Sequence, residues 1–297
     1  GWIRYTFDQL GIPYTSIDKS DLRRGQLRSR FDAVIVPNGP GSLAGMIHEH
    51  DRALGVMPFT RTDQFPSHGT PLSTPDMTGG MGFEGLGELR RFVEEGGLLL
   101  TLREASRLAG ESGFVREMSS LALGQLFHPG SVVRVKARRS NHPVLNGYPE
   151  TFHIFRGNGS LFSLARRDRG MMVLQYGTKP AKDEEEPKDS GPMLGIPDTT
   201  RADSVAARTA SGTGEKSGDP YVLSGMVRND DVIIGQAAII DAPLGRGHVI
   251  AYTFNPLHRF LNQQDFGLVW NALLNWNDLP GKPAAAPPEA PPGWSAR

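Results

Sequence analysis

The sequence predicts an α/β fold with a mostly parallel sheet and helices on both of its faces. Two observations lead to this expectation. Short apolar runs at residues 31–37 and 98–102 have the length and composition of strands that are buried on both faces, as parallel strands are. Amphipathic helical patterns lie beside these runs, at residues 1–10 and 83–95, and alternating helices and strands are typical of parallel sheets.

The first elements follow from apolar spacing and from chain-breaking residues. Residues 1–10 show near-helical spacing, and Gly11 begins the break before an extended run that predicts a strand at residues 14–17. The run at residues 31–37 predicts the first buried strand. Residues 51–82 are rich in Pro, Gly, Thr and Ser without periodicity, which indicates an irregular surface insertion.

The strongest αβ unit lies in the middle of the chain. The helix at residues 83–95 is closed by Gly96 and Gly97, and the strand at residues 98–102 follows at once. A helix is expected to begin at residues 104–109.

Later segments predict a second group of strands and a closing helix. Gly245 and Gly247 flank the turn of a predicted β-hairpin, and residues 266–276 predict the last helix. The predicted later strand segments are 132–136, 152–164, 171–176, 221–226, 232–240 and 248–254.

Composition also marks two segments without core-forming residues. Residues 182–219 are charged and poor in large apolar side chains, so a mobile loop is expected there. Residues 280–297 are rich in Pro and Ala, which predicts a disordered tail. The expected organisation is therefore one α/β domain over residues 1–279, followed by that tail.

The overall composition narrows the function classes. The chain of 297 residues has 32 basic and 32 acidic side chains, which gives no electrostatic footprint for nucleic acid or an anionic membrane. No apolar run approaches the roughly 20 residues that a membrane helix needs. The absence of cysteine excludes a disulfide framework and any thiolate nucleophile or metal site, and it leaves the compartment open.

Two predicted strand ends resemble loops of class I glutamine amidotransferases. Residues 38–42, Asn-Gly-Pro-Gly-Ser, resemble the loop that supplies backbone N–H groups to an oxyanion in that family. Residues 96–102, Gly-Gly-Leu-Leu-Leu-Thr-Leu, resemble the strand that carries the nucleophile elbow. The resemblance implies a flavodoxin-like layout, in which sites form at the carboxyl ends of the strands.

The same resemblance implies a cysteine on a strained, glycine-flanked turn after that strand. Residues 103–106 read Arg-Glu-Ala-Ser, without the thiol and without the glycines. We therefore expect the elbow to be lost in backbone geometry as well as in residue identity, together with amide hydrolysis. His258 is the positional counterpart of the family's histidine and lacks the acidic residue two positions later. No residue is assigned a catalytic role.

A narrower resemblance concerns large bacterial zinc carboxypeptidases of the carboxypeptidase A type. Their amidotransferase-like carboxyl-terminal region is similar, in order, to residues 1–5, 31–37, 92–102, 222–225 and 245–256. The resemblance implies an exported parent protein, periplasmic or secreted, whose peptidase domain precedes residue 1 and is the partner of this chain. Zinc is then expected in that upstream domain, because no histidine here has a glutamate three residues later.

Two further patterns have simple structural interpretations. His48 and His50 are the only close histidine pair, but alternating positions on a flexible segment make a poor metal clip, so a surface role is favoured. The spacing of Gly39, Gly41 and Gly45 differs from that of a dinucleotide loop, and a tight-turn role is favoured.

Three hypotheses for function remain. The leading one is a non-catalytic amidotransferase-like accessory domain, without a cofactor of its own, that contributes domain packing or substrate binding. The alternative is a module that binds a peptide, a small molecule or a glycan where three strand ends meet. The third is a serine or carboxylate hydrolase, although Ser106 is more simply a helix-start residue. The candidate ligand-binding residues are Asn38, Gly39, Gly41, Ser42, Arg103, Glu104, Ser106, His258 and Arg259.

Overall fold

The computed structural model describes residues 1–37, 39, 41–70, 72–181 and 220–281. The predicted mobile loop at residues 182–219 and nearly all of the predicted tail lie outside these described residues. The described helices are α1 Trp2–Gln9, α2 Lys19–Arg24, α3 Leu43–His48, α4 Gly82–Glu94, α5 Ser106–Glu111 and α6 Gln263–Leu274. The described strands are β1 Ala33–Val36, β2 Leu98–Leu102, β3 Met118–Leu121, β4 Phe127–Ala137, β5 Thr151–Gly157, β6 Leu161–Leu164, β7 Met172–Tyr176, β8 Val222–Arg228, β9 Ala237–Leu244 and β10 Gly247–Tyr252.

Eight of these strands form one sheet, in the order β1-β2-β10-β9-β7-β4-β5, with β8 also paired to β4. β1 and β10 flank β2 and run parallel to it, with Ala33 and His248 both opposite Leu98. The other five pairs are antiparallel. β3 and β6 form a separate antiparallel pair.

The fold is mixed α/β, and the prediction of a mostly parallel sheet is wrong. A parallel pair needs a crossover connection, usually a helix, whereas an antiparallel pair needs only a short turn. α4 supplies such a crossover between β1 and β2. In the described chain from β3 to β10 no α-helix lies between consecutive strands, and the pairs formed there are antiparallel. The predicted hairpin through Gly245 is one of them.

Helices cover both faces of the sheet around its parallel strands, as the sequence predicts. Leu98, Leu100 and Leu102 of β2 pack in one hydrophobic cluster with α1 and α6, whereas Leu99 packs in a second cluster with α4 and α5. Every residue of β2 is buried. Burial on both faces explains why this strand is a continuous apolar run in the sequence.

The predicted strand at residues 14–17 is not formed. The backbone there is irregular, and none of these residues has a β partner among the described strands. Tyr14 instead places its ring edge-on against Phe7 of α1, with the centroids 5.5 Å apart. An apolar extended run therefore serves as packing against a helix at this point.

Residues 51–82 are mostly irregular, and the side chains of Arg23 and Asp76 fix their last part. Arg23 of α2 donates to the carbonyl of Met81 at 3.1 Å and also to those of Gly79 and Gly80. Asp76 accepts the N–H groups of Thr78 at 2.9 Å and Met57 at 3.1 Å. The hydrogen bond from Thr78, followed in strength by the one from Met57, lowers the pKa of Asp76 to about 2.

None of the helices in the described part of the chain combines the length and the apolar character that a membrane crossing requires.

Candidate functional site

The first residue after β2 is an arginine with a strained backbone. β2 ends at Leu102, Arg103 has a φ of +54°, and a 3₁₀ helix covers Arg103–Ala105. A positive φ is uncommon outside glycine, and a strained residue between a strand and a helix is what exposes a nucleophile in enzymes with a nucleophile elbow. The thiol and the flanking glycines are absent here, whereas a positive φ at the first position of the turn is present.

Arg103 and Glu104 hold the loop of residues 157–160, Gly-Asn-Gly-Ser, against this turn. The Arg103 Nε donates to the Asn158 carbonyl at 2.6 Å, and its terminal nitrogen donates to the Asn158 amide oxygen. Glu104 accepts the Ser160 N–H at 3.0 Å and the Ser160 hydroxyl at 2.6 Å. Both charged side chains that follow β2 are therefore engaged by the protein itself.

Ser106 is a buried structural residue. Its relative exposure is 0%, and its hydroxyl donates to the Tyr252 carbonyl at 2.8 Å. The Ser106 and Thr101 hydroxyl oxygens lie 3.2 Å apart. The hydroxyl links β2, β10 and the start of α5, and it does not face a substrate.

His258 and Arg259 follow β10 and lie beside Arg103. The imidazole of His258 stacks on Phe155 with the ring centroids 4.9 Å apart. Burial lowers the pKa of His258, and the charges of Arg259 and Arg103 lower it further. Arg259 is exposed, forms no hydrogen bond or ion pair with the described residues, and has a φ of +52°. Phe260 continues the strained turn with a φ of +57°.

The glycines of the loop after β1 carry no special backbone conformation. Asn38 lies outside the described residues. Gly39 and Gly41 do not have a positive φ, and a Cβ built on Gly41 would meet nothing within 4 Å. Neither glycine is therefore required here for a positive φ, and the predicted tight-turn role stays a prediction.

The first turn of α3, which Ser42 caps, contacts α5 directly and reaches the turn after β2 only through α5. The Ser42 hydroxyl accepts the Gly45 N–H at 3.0 Å, as a helix-capping residue does. The Leu43 N–H donates to Glu111 at 3.0 Å. Arg107 bridges Glu111 at 2.7 Å and Glu104 at 3.4 Å. The first strand end is thus linked to the elbow through a chain of ion pairs across α5.

The structure therefore brings two of the three predicted strand ends into direct contact. The Arg103 N–H donates to the Phe254 carbonyl at 3.2 Å, which joins the elbow to the segment that carries His258. A guanidinium stays protonated and is neither a nucleophile nor a base. The Arg103 side chain is engaged by Asn158, whereas Arg259 is an exposed positive charge near the same edge.

A second polar centre, not found from the sequence, lies within the sheet. Asp241 of β9 is fully buried and accepts hydrogen bonds from His248 at 2.7 Å and His142 at 3.0 Å. Arg139 lies 3.4 Å from the same carboxylate. Burial raises the pKa of Asp241, but the two histidine hydrogen bonds outweigh burial and the net pKa is lowered. The periodicity indicates only that the neighbouring residues of β9 are apolar, so it gives no signal for this network.

Asp265 is a buried carboxyl group in the first turn of α6. One of its oxygens accepts the Phe155 N–H at 2.9 Å, and Asn262 also stabilises the ionised carboxylate. Burial raises its pKa to about 7. The carboxyl group thus fastens α6 to β5, near the residue on which His258 stacks.

The described residues contain no group of three or more His, Asp or Glu side chains arranged to hold a metal ion. His48 ends α3 and places its ring edge-on against Phe83. His50 offers its carbonyl to the Gly79 N–H at 2.7 Å. A surface depression of about 360 Å³ lies at the other end of the β4–β5 ladder from the loop of residues 157–160, lined by Lys136, Ala137, Arg138, Ser140 and Glu150.

Comparison with known proteins assigns no family. No protein-family model matches the sequence, and no curated protein sequence matches it. Among solved structures, the cytoplasmic protein STM3548 from Salmonella typhimurium is 11% identical, with a TM-score of 0.44 over 92% of this chain and 85% of that chain. A β-galactosidase from Bacillus circulans sp. alkalophilus is 10% identical, with a TM-score of 0.36 over 82% and 23%.

A ThuA-like protein from Bacteroides uniformis is 13% identical, with a TM-score of 0.34 over 65% of this chain and 63% of that chain. Similarities at this level assign neither a fold family nor a function.

Proposed function

We propose that this chain is a non-catalytic domain built on the plan of class I glutamine amidotransferases. One observation carries the proposal: Arg103 occupies the strained elbow position, and its side chain is hydrogen-bonded to the loop of residues 157–160. An elbow nucleophile needs a free thiolate or hydroxyl that a base can reach. The only hydroxyl in residues 103–106 belongs to Ser106, which is buried and bonded to the backbone.

The proposal extends to the parent protein. The order of the five matching segments supports an accessory domain that packs on a zinc peptidase domain or assists its substrate binding. The expected observation is a His-x-x-Glu zinc motif encoded upstream of the codon for Gly1. A start codon immediately before that codon would remove this part of the proposal and leave the non-catalytic assignment untouched.

Activity assays test the absence of catalysis. The purified chain is expected to release no ammonia from glutamine and to hydrolyse no ester or peptide substrate above the uncatalysed rate. The proposal fails if turnover at an enzyme-like rate is found and is abolished by Ser106→Ala or His258→Ala. Ser119→Ala, at an exposed serine of β3, is the matched control for a general effect of losing a hydroxyl.

A second candidate function is a binding module for a carboxylate-bearing peptide, small molecule or glycan. Arg259 supports it, because an exposed guanidinium without a partner among the described residues, on a strained turn beside His258, suits bidentate binding of a carboxylate.

A ligand that binds the native state must raise its melting temperature. We expect carboxylate-bearing ligands to raise the melting temperature of the unmodified chain and to have a weaker effect on Arg259→Ala. The matched control is Arg24→Ala, at an exposed arginine of α2. A ligand set that stabilises both variants as well as the unmodified chain would contradict a site at Arg259.

A further inference from the structure

Arg156 is a buried guanidinium that has no carboxylate partner among the described residues. Its relative exposure is 1%. Its two terminal nitrogens donate to the carbonyls of Gly157 at 2.8 Å and Gly159 at 2.9 Å, and its Nε has no hydrogen-bond partner in the part of the chain that the structure describes. Neutral carbonyls do not balance the charge, and a buried charge without a counter-charge is costly. Arg156 therefore offers both a charge and a donor to an anion.

Further unpartnered polar atoms lie in the same region. Among the described residues, neither ring nitrogen of His128 nor the hydroxyl of Tyr221 has a hydrogen-bond partner, and these two residues are only 5% and 6% exposed. The great majority of buried polar groups in native proteins are paired, so a local concentration of unpaired groups requires an explanation.

Arg156 lies between the other two residues in the sheet. His128 lies near one end of the β4–β8 ladder, Tyr221 lies at its other end, where its carbonyl accepts the Arg134 N–H, and Arg156 of β5 is opposite Ser131 in the middle of β4. His128 and Arg156 are both buried positions of their strands. Beside the larger effect of burial, the charge of Arg156 acts to lower the pKa of His128 and that of Tyr221, so the guanidinium lies near both side chains. The Arg156 guanidinium carbon lies 5.5 Å from the centroid of the Tyr176 ring.

The protonation states favour an acceptor-rich ligand. Burial lowers the pKa of His128 to about 4, and the charge of Arg156 acts in the same direction, so the ring is neutral at pH 7 and donates one N–H. Burial raises the pKa of Tyr221 well above its ordinary value, so its hydroxyl stays protonated. One fixed positive charge and several donors suit oxygen atoms that carry negative charge.

We propose that Arg156, His128 and Tyr221 form a buried binding site for a small oxygen anion. The site is separate from Arg259 and does not depend on the proposed lack of catalysis. Its one link to the turn after β2 is the loop of residues 157–160, since Arg156 donates to the carbonyls of Gly157 and Gly159 in that loop. An anion bound here would neutralise Arg156 and satisfy the unpartnered donors in one step.

Titration of the whole chain with sodium phosphate or sodium acetate tests the site, with sodium chloride at equal ionic strength as the reference. NMR of the His128 ring protons and the melting temperature are the two measurements. A saturable shift of the His128 resonance is expected, together with a rise in melting temperature. Saturation by phosphate alone identifies a tetrahedral anion, and saturation by acetate alone identifies a carboxylate.

Two variants locate the binding. Arg156→Met and His128→Phe are each expected to weaken binding by about ten-fold or more, because each removes donors to a charged ligand in a buried site. Arg90→Met is the control, since Arg90 is an α4 residue that pairs with Glu94 outside this region. If Arg156→Met does not fold, His128→Phe carries the test.

The inference is overturned if neither anion gives a saturable response. It is also overturned if His128→Phe binds as tightly as the unmodified chain, or if Arg90→Met weakens binding to the same extent as His128→Phe. None of these outcomes bears on hydrolysis of glutamine, so this test and the activity assays fail independently.

Discussion

At the scale of single residues, Asp265 is a carboxyl group whose burial works against the fold at neutral pH. Its folded pKa of about 7 lies above the ordinary value, so the native state holds a proton that the unfolded chain has already lost. The contribution of Asp265 to the free energy of unfolding is therefore most favourable below about pH 4, and it is lost as the pH rises from there to about 7.

Asp265→Asn is expected to stabilise the protein at pH 8. The amide oxygen can still accept the Phe155 N–H, and no charge is buried. The gain in unfolding free energy at pH 8 should be about 2–4 kcal/mol and should shrink towards zero near pH 4. Urea unfolding at several pH values measures it, with Asp63→Asn at an exposed site as the control. A variant less stable than the unmodified chain at pH 8 would contradict the buried-charge explanation.

Residue identity and backbone conformation were predictable to different degrees at the candidate site. The missing thiol is evident in the sequence, and Arg103, Glu104 and His258 do lie together at the carboxyl ends of β2 and β10. The positive φ of Arg103 was not predictable, because glycine is the residue type that most often indicates a positive φ in a sequence. Arg156 and His128 were missed because charged and polar side chains are usually exposed.

At the scale of elements, the loop of residues 157–160 owes its position to Arg103 and Glu104, which follow β2, and to Arg156 of β5. Arg103→Ala removes two hydrogen bonds to Asn158 but leaves Glu104 in place. We expect faster amide hydrogen exchange throughout this loop, with little change in β5 itself. Exchange measured by mass spectrometry is the test, and Arg107→Ala is the control, since Arg107 contacts Glu104 but not the loop. Unchanged exchange in Arg103→Ala would show that Glu104 and Arg156 suffice to hold it.

The insertion at residues 51–82 is an element fixed by a neighbouring helix. Arg23→Met is expected to speed amide exchange at Gly79, Gly80 and Met81, whose carbonyls it would release. The amides of α4, which begins directly after this segment, should keep their protection from exchange, because α4 still packs against α2. Arg24→Met, one position along α2 and bonded only to Asp21, is the matched control. Equal effects of the two variants would contradict a specific role for Arg23.

Most elements were predictable from periodicity, and the direction of the strands was not. All five residues of β7 are buried, as are those of β2, and each strand is apolar except for one polar residue, Gln175 in β7 and Thr101 in β2. β2 is parallel to both neighbours and β7 is antiparallel to both of its own. Burial determines where apolar residues fall in a strand, whereas the direction of a strand depends on the segments that connect it to its neighbours. The apolar pattern of the sequence therefore indicates burial and not direction.

At the scale of the whole molecule, Asp241 joins segments that are far apart in the chain. Its two histidine partners are His142, which follows β4, and His248 on β10. The net lowering of the Asp241 pKa means that its contribution to stability is present above the ordinary carboxyl pKa and is lost as the pH falls through the folded value.

Asp241→Ala is expected to destabilise the fold by about 3–5 kcal/mol at pH 7, because it leaves buried donors without an acceptor. Urea unfolding measures the loss. Asp32→Ala breaks an exposed ion pair with Arg28 and should cost less than about 1 kcal/mol. A similar small loss in both variants would show that the histidines find other partners.

The contacts between Arg103 and the loop of residues 157–160 also decide how accessible this position is. The Arg103 side chain lies against Asn158, and Glu104 holds Ser160 of the same loop, so the loop lies over the residue with the positive φ. Arg103→Cys would remove the two hydrogen bonds to Asn158 but would leave Glu104 and Arg156 holding the loop. We therefore expect a thiol at this position to stay covered by the loop, so that a thiol-reactive probe would label it slowly.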